Sequence, residues 1–126
     1  MCTWSDIIAP QLFDMKKSTL AFPDFHKLDI RVGEILATEV VEKSRNLIAM
    51  KVNLGDEYGI VDIVAGIGEF YEETDLMGKK CLFVANLEPR KMMSRMSNGM
   101  MLAGDEKGRP YIISVSNDLP AGLIVR

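Results

Sequence analysis

The stretch Leu28-Asp29-Ile30-Arg31-Val32-Gly33-Glu34-Ile35-Leu36 has the pattern of a long β-strand that contains a glycine. We expect its polar residues Arg31 and Glu34 on the wetter side of the strand. Gly33 lies in the middle, and a glycine inside a strand often marks a bulge or a sharp bend. The pattern therefore predicts a first strand that bends partway along its length.

Five further segments have strand patterns and are separated by turn signals. Residues 47–54 alternate apolar and polar side chains, and residues 80–85 are apolar after Lys80, as in a strand buried on both faces. The acidic residues 69–78 have room for one helical turn, and Gly78 suits a left-handed stop. The predicted strands after the first are 47–54, 60–65, 80–85, 100–103 and 111–115, with turns at 55–59 and 104–108.

The order of these elements predicts the fold class. Five antiparallel strands, with a long bent first strand and a helical turn between the third and the fourth, are typical of an OB-fold barrel. We therefore expect an all-β protein with a five-stranded OB-fold barrel over residues 23–104. A short helical extension over residues 1–22 precedes the barrel, and a C-terminal extension over residues 105–126 follows it.

The N-terminal extension has its own helix signals. Residues 3–6 have the spacing of a capping box, and apolar residues then recur at roughly helical intervals. Pro10 predicts that a helix here is short or kinked. Pro23-Asp24-Phe25-His26 predicts a single helical turn before the barrel, since proline suits a first helical position.

Composition excludes several classes of protein. The chain has 126 residues and a net charge of −3, which fits one domain and argues against a general nucleic-acid coat. No apolar run approaches the roughly 18 residues of a membrane helix, and no secretory signal is evident, so we expect a cytoplasmic protein without membrane contact. Two cysteines and one histidine are too few for a structural zinc site. We expect no metal, no cofactor and no catalytic site, because no motif combines a nucleophile with a base.

Residues 86–103 form the most unusual stretch of the sequence. Five of the nine methionines fall here, together with three cations and one acid. Residues 79–109 contain seven cations and three acids, a net charge of +4, so the other 95 residues carry a net charge of −7. A basic, flexible loop between two strands of an acidic barrel is suited to an anionic ligand. The alternative is a solvated loop whose methionines pack underneath.

Four sequence blocks carry a resemblance to a known family. They are residues 28–33, residues 63–67, Asn86-Leu87-Glu88-Pro89-Arg90-Lys91-Met92 and Ser97-Asn98-Gly99-Met100-Met101-Leu102-Ala103. In this order and spacing they resemble the tRNA-binding domain that is appended to several aminoacyl-tRNA synthetases and also occurs as a free-standing protein. The resemblance implies an OB-fold, in agreement with the strand pattern. It further implies a non-catalytic module that recognises the shape and backbone of tRNA.

The resemblance and the local charge together give a set of candidate tRNA-binding residues. Lysine and arginine neutralise phosphate, asparagine and serine hydrogen-bond phosphate or the 2′-hydroxyl, and methionine offers soft apolar surface. Arg90 and Arg95 are included as cations next to positions that match the family motif. The candidates are Arg31, Asn86, Arg90, Lys91, Met92, Arg95, Ser97 and Met100.

The resemblance also implies partners. The expected partners are tRNA, a synthetase (the methionyl type is favoured) and a second copy of the chain, since free-standing relatives are homodimers that join through the region after the barrel. Apolar residues in 111–126 would supply that contact; the alternative is that this tail closes over its own barrel. A related branch of the family is a secretion chaperone, so binding of unfolded polypeptide through the same face is the alternative function.

Overall fold

The N-terminal side of the barrel begins with one short helical turn. The computed structural model describes residues 16–126, and the helix predicted from residues 3–15 lies outside the described residues. Residues 16–21 have no regular secondary structure. Helix α1, Phe22–Phe25, follows with Pro23 in its first turn, which confirms the predicted single turn.

The predicted barrel strands are confirmed. The sheet has the antiparallel order β3-β2-β1-β4-β7, with β10 paired to β1, and the helical turn α2 separates β3 from β4. This is the five-stranded OB-fold barrel that the sequence predicts. The elements are β1 Ile30–Val40, β2 Ile48–Asn53, β3 Ile60–Ala65, α2 Glu73–Leu76, β4 Lys80–Val84, β5 Arg90–Met92, β6 Arg95–Ser97, β7 Met100–Met101, β8 Ala103–Glu106, β9 Arg109–Ile112 and β10 Ile124–Val125.

Strand β1 is shared between the two sides of the barrel. Residues 30–34 pair with β4, residues 34–40 pair with β2, and the β2 register shifts between Ile35 and Ala37. The irregularity predicted at Gly33 therefore lies two residues further along the chain. Gly33 instead allows close packing in the core, because a Cβ atom there would lie 2.6 Å from the Phe83 ring and 2.6 Å from Val52.

The barrel interior is closed at one end by α2. Phe83, Ile35 and Met50 are almost completely buried in the main core cluster, and Leu76 of α2 is buried with them. A capping box between Glu72 and Asp75 starts the helix, satisfying amides that the short helix leaves without partners. Gly78 ends the turn with a φ of 79°, as the sequence predicts.

The chain after β7 differs from the prediction. The turn expected over residues 104–108 is mostly strand: β8 and β9 form a hairpin whose turn is Lys107-Gly108, both with positive φ. Two positive φ values in a two-residue loop match the twist of a hairpin, and this sets the turn position. The tail then returns to the barrel, where β10 pairs with the start of β1 and the amide of Gly122 donates to the carbonyl of Val32 at 2.7 Å.

The close approach at Gly33 generates a stability prediction. Gly33→Ala should destabilise the protein by about 1–3 kcal/mol in urea denaturation, because the new methyl group overlaps the Phe83 ring and Val52 inside the core. Gly66→Ala is the matched control: its Cβ would meet only the end of the flexible Asn46 side chain, at 3.3 Å. Equal stability of the two variants would contradict the packing role of Gly33.

Candidate nucleic-acid interface

The basic stretch folds into an ordered hairpin. Strands β5 and β6 pair antiparallel, with Arg90 opposite Ser97 and Lys91 opposite Met96, and Met93 has a positive φ of 57° in the turn. The prediction of a flexible loop here is therefore wrong, because the two short strands form hydrogen bonds between their backbone groups. Arg90 and Lys91 are exposed and form no ion pair within residues 16–126.

A buried hydroxyl group attaches the hairpin to the barrel. Ser97 is 3% exposed; its Oγ accepts a hydrogen bond from the amide of Val64 at 2.9 Å and donates to the carbonyl of Gly99 at 2.9 Å. The amide of Asn98 donates to the carbonyl of Asp62 at 2.7 Å. Because Val64 and Asp62 belong to β3, these bonds close the barrel between its two outer strands and fix the hairpin in place.

A cleft of about 530 Å³ lies between the hairpin, the end of β3 and β7. Met92 and Met100 supply much of its apolar surface, and Arg90 and Glu88 are its charged lining residues. Gly99 allows the chain to turn into β7 here, with a φ of 135°. The full lining is Val64, Ala65, Gly66, Ile67, Leu87, Glu88, Arg90, Met92, Ser97, Gly99, Met100, Met101 and Ala103.

Arg31 lies outside this cleft and is engaged with the barrel. Its Nε donates to Asp29 at 2.7 Å, its Nη1 donates to the carbonyl of Gly122 at 3.2 Å, and its guanidinium lies 5.3 Å from the centre of the Tyr58 ring. The hydrogen bond from Arg31 lowers the pKa of Asp29, and the Tyr58 hydroxyl, which donates to the same carboxylate, acts in the same direction. Arg31 thereby ties the C-terminal tail to the start of β1.

Asn86 also makes its contacts within the fold. Its Oδ1 accepts from the amide of Asp29 at 2.9 Å, and its Nδ2 donates to the carbonyl of Lys27 at 2.7 Å. These bonds hold the segment before β1 against the end of β4. Arg95 has an ion-pair partner as well, the carboxylate of Glu39 on β1.

The structure thus divides the candidate residues by position. Two of them, Arg31 and Asn86, hold the chain ends and do not line the cleft. The other six lie on the β5–β6 hairpin and β7; Arg90, Met92, Ser97 and Met100 line the cleft, whereas Lys91 and Arg95 do not. We name the surface of the hairpin and β7, together with the cleft, the hairpin face. Its members among the candidates are Arg90, Lys91, Met92, Arg95, Ser97 and Met100.

One exposed cation that the sequence interpretation omits lies beside the hairpin face. The loop over residues 41–47 packs against the cleft wall, since the amide of Gly68 donates to the carbonyl of Asn46 at 2.7 Å. Arg45 in this loop is exposed and makes no ion pair with the described residues. Its only sequence signal is its charge, which Glu42 partly offsets; its nearness to the cleft arises from the fold.

Two other kinds of feature are absent from the described part of the chain. Across residues 16–126 no group of three or more histidine, cysteine, aspartate or glutamate side chains is placed to hold a metal ion. Within the same range no helix has both the length and the apolarity that crossing a membrane requires.

The fold, the basic hairpin and the cleft can now be compared with known proteins. Residues 30–123 match the family model described as "Putative tRNA binding domain", which is a binding rather than a catalytic domain. The chain belongs to the tRNA-binding domain family. The match extends past β7 and includes the β8–β9 hairpin and part of the tail.

The similar curated proteins are longer enzymes. The methionine–tRNA ligase of Clostridium acetobutylicum is 42% identical over 112 residues, covering 87% of this chain and 17% of the ligase. That of Caldanaerobacter subterraneus subsp. tengcongensis is 44% identical over 103 residues, covering 82% of this chain and 16% of the ligase. The chain thus spans about one sixth of the length of the ligases it matches.

Two solved structures share the whole barrel. A methionyl-tRNA-synthetase-related protein from Pyrococcus horikoshii superposes with a TM-score of 0.82 and 30% identity, over 87% of this chain and 100% of the other. The chaperone CsaA from Bacillus anthracis superposes with a TM-score of 0.77 and 25% identity, over 86% of this chain and 100% of the other. Both branches of the resemblance are therefore represented among similar structures.

The attachment of the hairpin generates a second prediction. Ser97→Ala should lower the free energy of unfolding by about 1–3 kcal/mol, because it leaves the buried amide of Val64 without its acceptor. Ser94→Ala, on the exposed hairpin turn, is the control and should change stability by less than about 0.5 kcal/mol. Chemical denaturation measures both, and a Ser97→Ala variant as stable as the control would contradict the anchoring role.

Proposed function

We propose that the protein binds tRNA through the hairpin face and recognises the shape and backbone of the RNA rather than its sequence. The observation that carries the proposal is a pair of exposed cations on an ordered hairpin: Arg90, which lines an apolar cleft, and its neighbour Lys91. Neither forms an ion pair within residues 16–126. Membership of the tRNA-binding domain family supports it.

Electrostatics favours a polyanion at this face. Residues 86–103, which include the hairpin, carry three cations against one acid, a net charge of +2, although the whole chain carries −3. Neither Arg90 nor Lys91 forms an ion pair within residues 16–126, so each can neutralise one phosphate and release its counterion without first losing a carboxylate partner there. Arg45, in the 41–47 loop that bonds to Gly68, is a further exposed cation.

The cleft accounts for a second kind of contact. Met92 and Met100 present polarisable apolar surface next to the cations, and such surface packs against sugars and unstacked bases of any sequence. Phosphate contacts and apolar stacking carry little sequence information. Recognition of backbone and shape therefore follows from the side chains that this face offers.

The proposed biological role is that of a non-catalytic tRNA-binding unit of an aminoacyl-tRNA synthetase, with the methionyl type favoured. The support is the similarity to one sixth of several methionine–tRNA ligases. Such a unit raises the local concentration of tRNA at a catalytic domain without making new contacts there. We place this role in the cytoplasm, where tRNA is charged.

Binding of unfolded polypeptide is the second candidate function. The similarity to chaperone CsaA and the methionine-lined cleft favour it, because methionine surfaces adapt to varied apolar partners. The two functions differ in their response to salt. Apolar peptide contacts change little with ionic strength, whereas phosphate contacts weaken as salt rises.

The two exposed cations, Arg90 and Lys91, allow a direct test of tRNA binding. Arg90→Glu combined with Lys91→Glu should weaken binding of unfractionated tRNA at least about tenfold and remove roughly two units of the log–log salt slope. Filter binding between about 50 and 200 mM salt measures both quantities. The melting temperature should stay within a few degrees, because both side chains are exposed.

The control is a double variant that makes the same change in net charge at residues away from the hairpin face. Lys79→Glu with Lys107→Glu also changes the net charge by four, but Lys79 precedes β4 at the end far from Met100, and Lys107 lies in the β8–β9 turn. Equal tRNA affinity of the two double variants would contradict the assignment of tRNA binding to the hairpin face. Absence of tRNA binding by the wild type, with salt-independent capture of an unfolded polypeptide, would favour the chaperone function.

We also propose that the protein forms a homodimer through the C-terminal extension, residues 105–126. The support is a set of partly exposed apolar side chains in this region, which a second copy would cover. A dimer would present two hairpin faces to one tRNA. The side chains are Tyr111, Ile113, Leu123 and Ile124.

Substitution at this surface tests the dimer. Ile113→Glu and Ile124→Glu should each shift the protein from dimer to monomer in sedimentation velocity, because a buried unpaired carboxylate is costly. Ile60→Glu, at an exposed position on β3, should leave the dimer intact. A wild-type monomer, or dimers in all variants, would overturn the proposed interface.

A further inference from the structure

The hairpin face carries three exposed methionines. Met93, Met96 and Met100 are 54%, 47% and 47% exposed, whereas Met50 and Met101 in the barrel interior are 2% and 8% exposed. Thioether oxidation requires contact with an oxidant in water, so exposure decides which methionines react. The three exposed methionines of the hairpin face fall within eight residues of one another.

Each of these methionines lies next to a group that the proposed function uses. Met96 is the cross-strand partner of Lys91, and directly opposed side chains in an antiparallel pair are about 5 Å apart at Cβ. Met100 lines the cleft together with Arg90. Met93 forms the turn between the two strands. A chemical change at the three sulfur atoms therefore acts directly on the binding surface.

We propose that Met93, Met96 and Met100 form an oxidative modification site that lowers nucleic-acid binding by the hairpin face. The proposal rests on the proposed function of this face. The oxidant is a peroxide: a sulfur lone pair attacks the terminal peroxide oxygen, the O–O bond breaks, and the leaving oxygen takes a proton to become water or an alcohol. Sulfur is oxidised by two electrons to the sulfoxide, and the peroxide is reduced.

The product opposes binding for two physical reasons. A sulfoxide is strongly polar, so it loses the apolar contact that methionine makes with bases and sugars. Its oxygen also carries partial negative charge, which Met96 would place beside Lys91, where a phosphate is expected. The fold itself is preserved, because the core methionines Met50 and Met101 are shielded from the oxidant.

The described part of the chain offers no competing thiol. Cys81 is fully buried, and burial raises the pKa of its thiol, which keeps it in the unreactive protonated form. Met77 is 49% exposed but lies just after α2, away from the hairpin. It therefore serves as an internal control with matched exposure.

The test compares oxidation with binding in the full chain. Wild-type protein is treated with hydrogen peroxide, the oxidised residues are mapped by mass spectrometry, and the affinity for unfractionated tRNA is measured before and after. We expect oxidation of Met93, Met96, Met100 and Met77 ahead of Met50 and Met101, with a loss of affinity of about fivefold or more. Bound tRNA should protect the three hairpin-face residues but leave Met77 reactive.

Three variants connect the modification to the loss of affinity. Met93→Leu/Met96→Leu/Met100→Leu keeps side-chain volume and the other six methionines, and its own tRNA affinity, whatever its starting value, should be the same before and after peroxide treatment. Met77→Leu should lose affinity as the wild type does. Met93→Gln/Met96→Gln/Met100→Gln, which imitates the polar sulfoxide, should bind weakly without peroxide while keeping the wild-type melting temperature.

The outcomes separate the two proposals. Wild-type protein that binds tRNA equally well before and after oxidation of the three residues overturns the modification site alone. Lack of selective oxidation at these residues, or an equal loss of affinity in the triple leucine variant, overturns it as well. Failure of the untreated protein to bind tRNA overturns the proposed function, and with it the proposed oxidative modification site, which rests on that function.

Discussion

Strand β1 forms hydrogen bonds along both edges, and this double pairing positions the remaining elements. Its first residues pair with β4 and its later residues with β2, with a register shift between Ile35 and Ala37. One strand can serve both sides of a small barrel only if it bends there and if its inner face leaves room for the opposite wall. Gly33 leaves that room, because the Phe83 ring occupies the space of its missing side chain. The tail depends on β1 too, through β10 and the bond between Gly122 and Val32.

The family motif combines residues with two different tasks. The side chains of Asn86 and Ser97 are occupied by backbone groups of the barrel, and Arg31 by Asp29 and the tail. Arg90 and Lys91 are exposed and have no ion-pair partner among residues 16–126. Ser97 attaches the hairpin that carries Arg90 and Lys91 to β3, whereas Arg31 and Asn86 hold the segments around the start of β1. A rigid attachment lowers the entropy that a hairpin loses when it meets a ligand, so we expect Ser97 to contribute to affinity without touching the ligand.

The sequence predicts the barrel well because the fold depends on short-range patterns. Alternation in β2, the glycine after α2 and the apolar run of β4 are all visible within ten residues. The turn predicted over residues 104–108 is longer than the observed turn at Lys107-Gly108, because Gly104 is a common turn signal and the positive φ at Lys107 leaves no mark in composition. The β5–β6 hairpin cannot be told from a flexible loop in the sequence, because its three-residue strands are stabilised by contacts with β3, which lies far away in the sequence.

The placement of the candidate residues follows in part from local sequence. The excess of cations and methionines in residues 86–103 is a local property, and six of the candidate residues lie on the β5–β6 hairpin and β7, while their role in binding tRNA stays a prediction. Long-range geometry decides the rest. The contacts of Arg31 with residues near both chain ends, and the nearness of Arg45 to the cleft, come from pairings between distant segments.

Hydrogen–deuterium exchange of the full chain with and without tRNA is the most direct test of the central claim that the hairpin face binds RNA. The account predicts slower exchange over residues 87–100 and the neighbouring 41–47 loop, with exchange in the β8–β9 hairpin unchanged. Slower exchange confined to residues outside the hairpin face, with residues 87–100 exchanging as in the free protein, would contradict it.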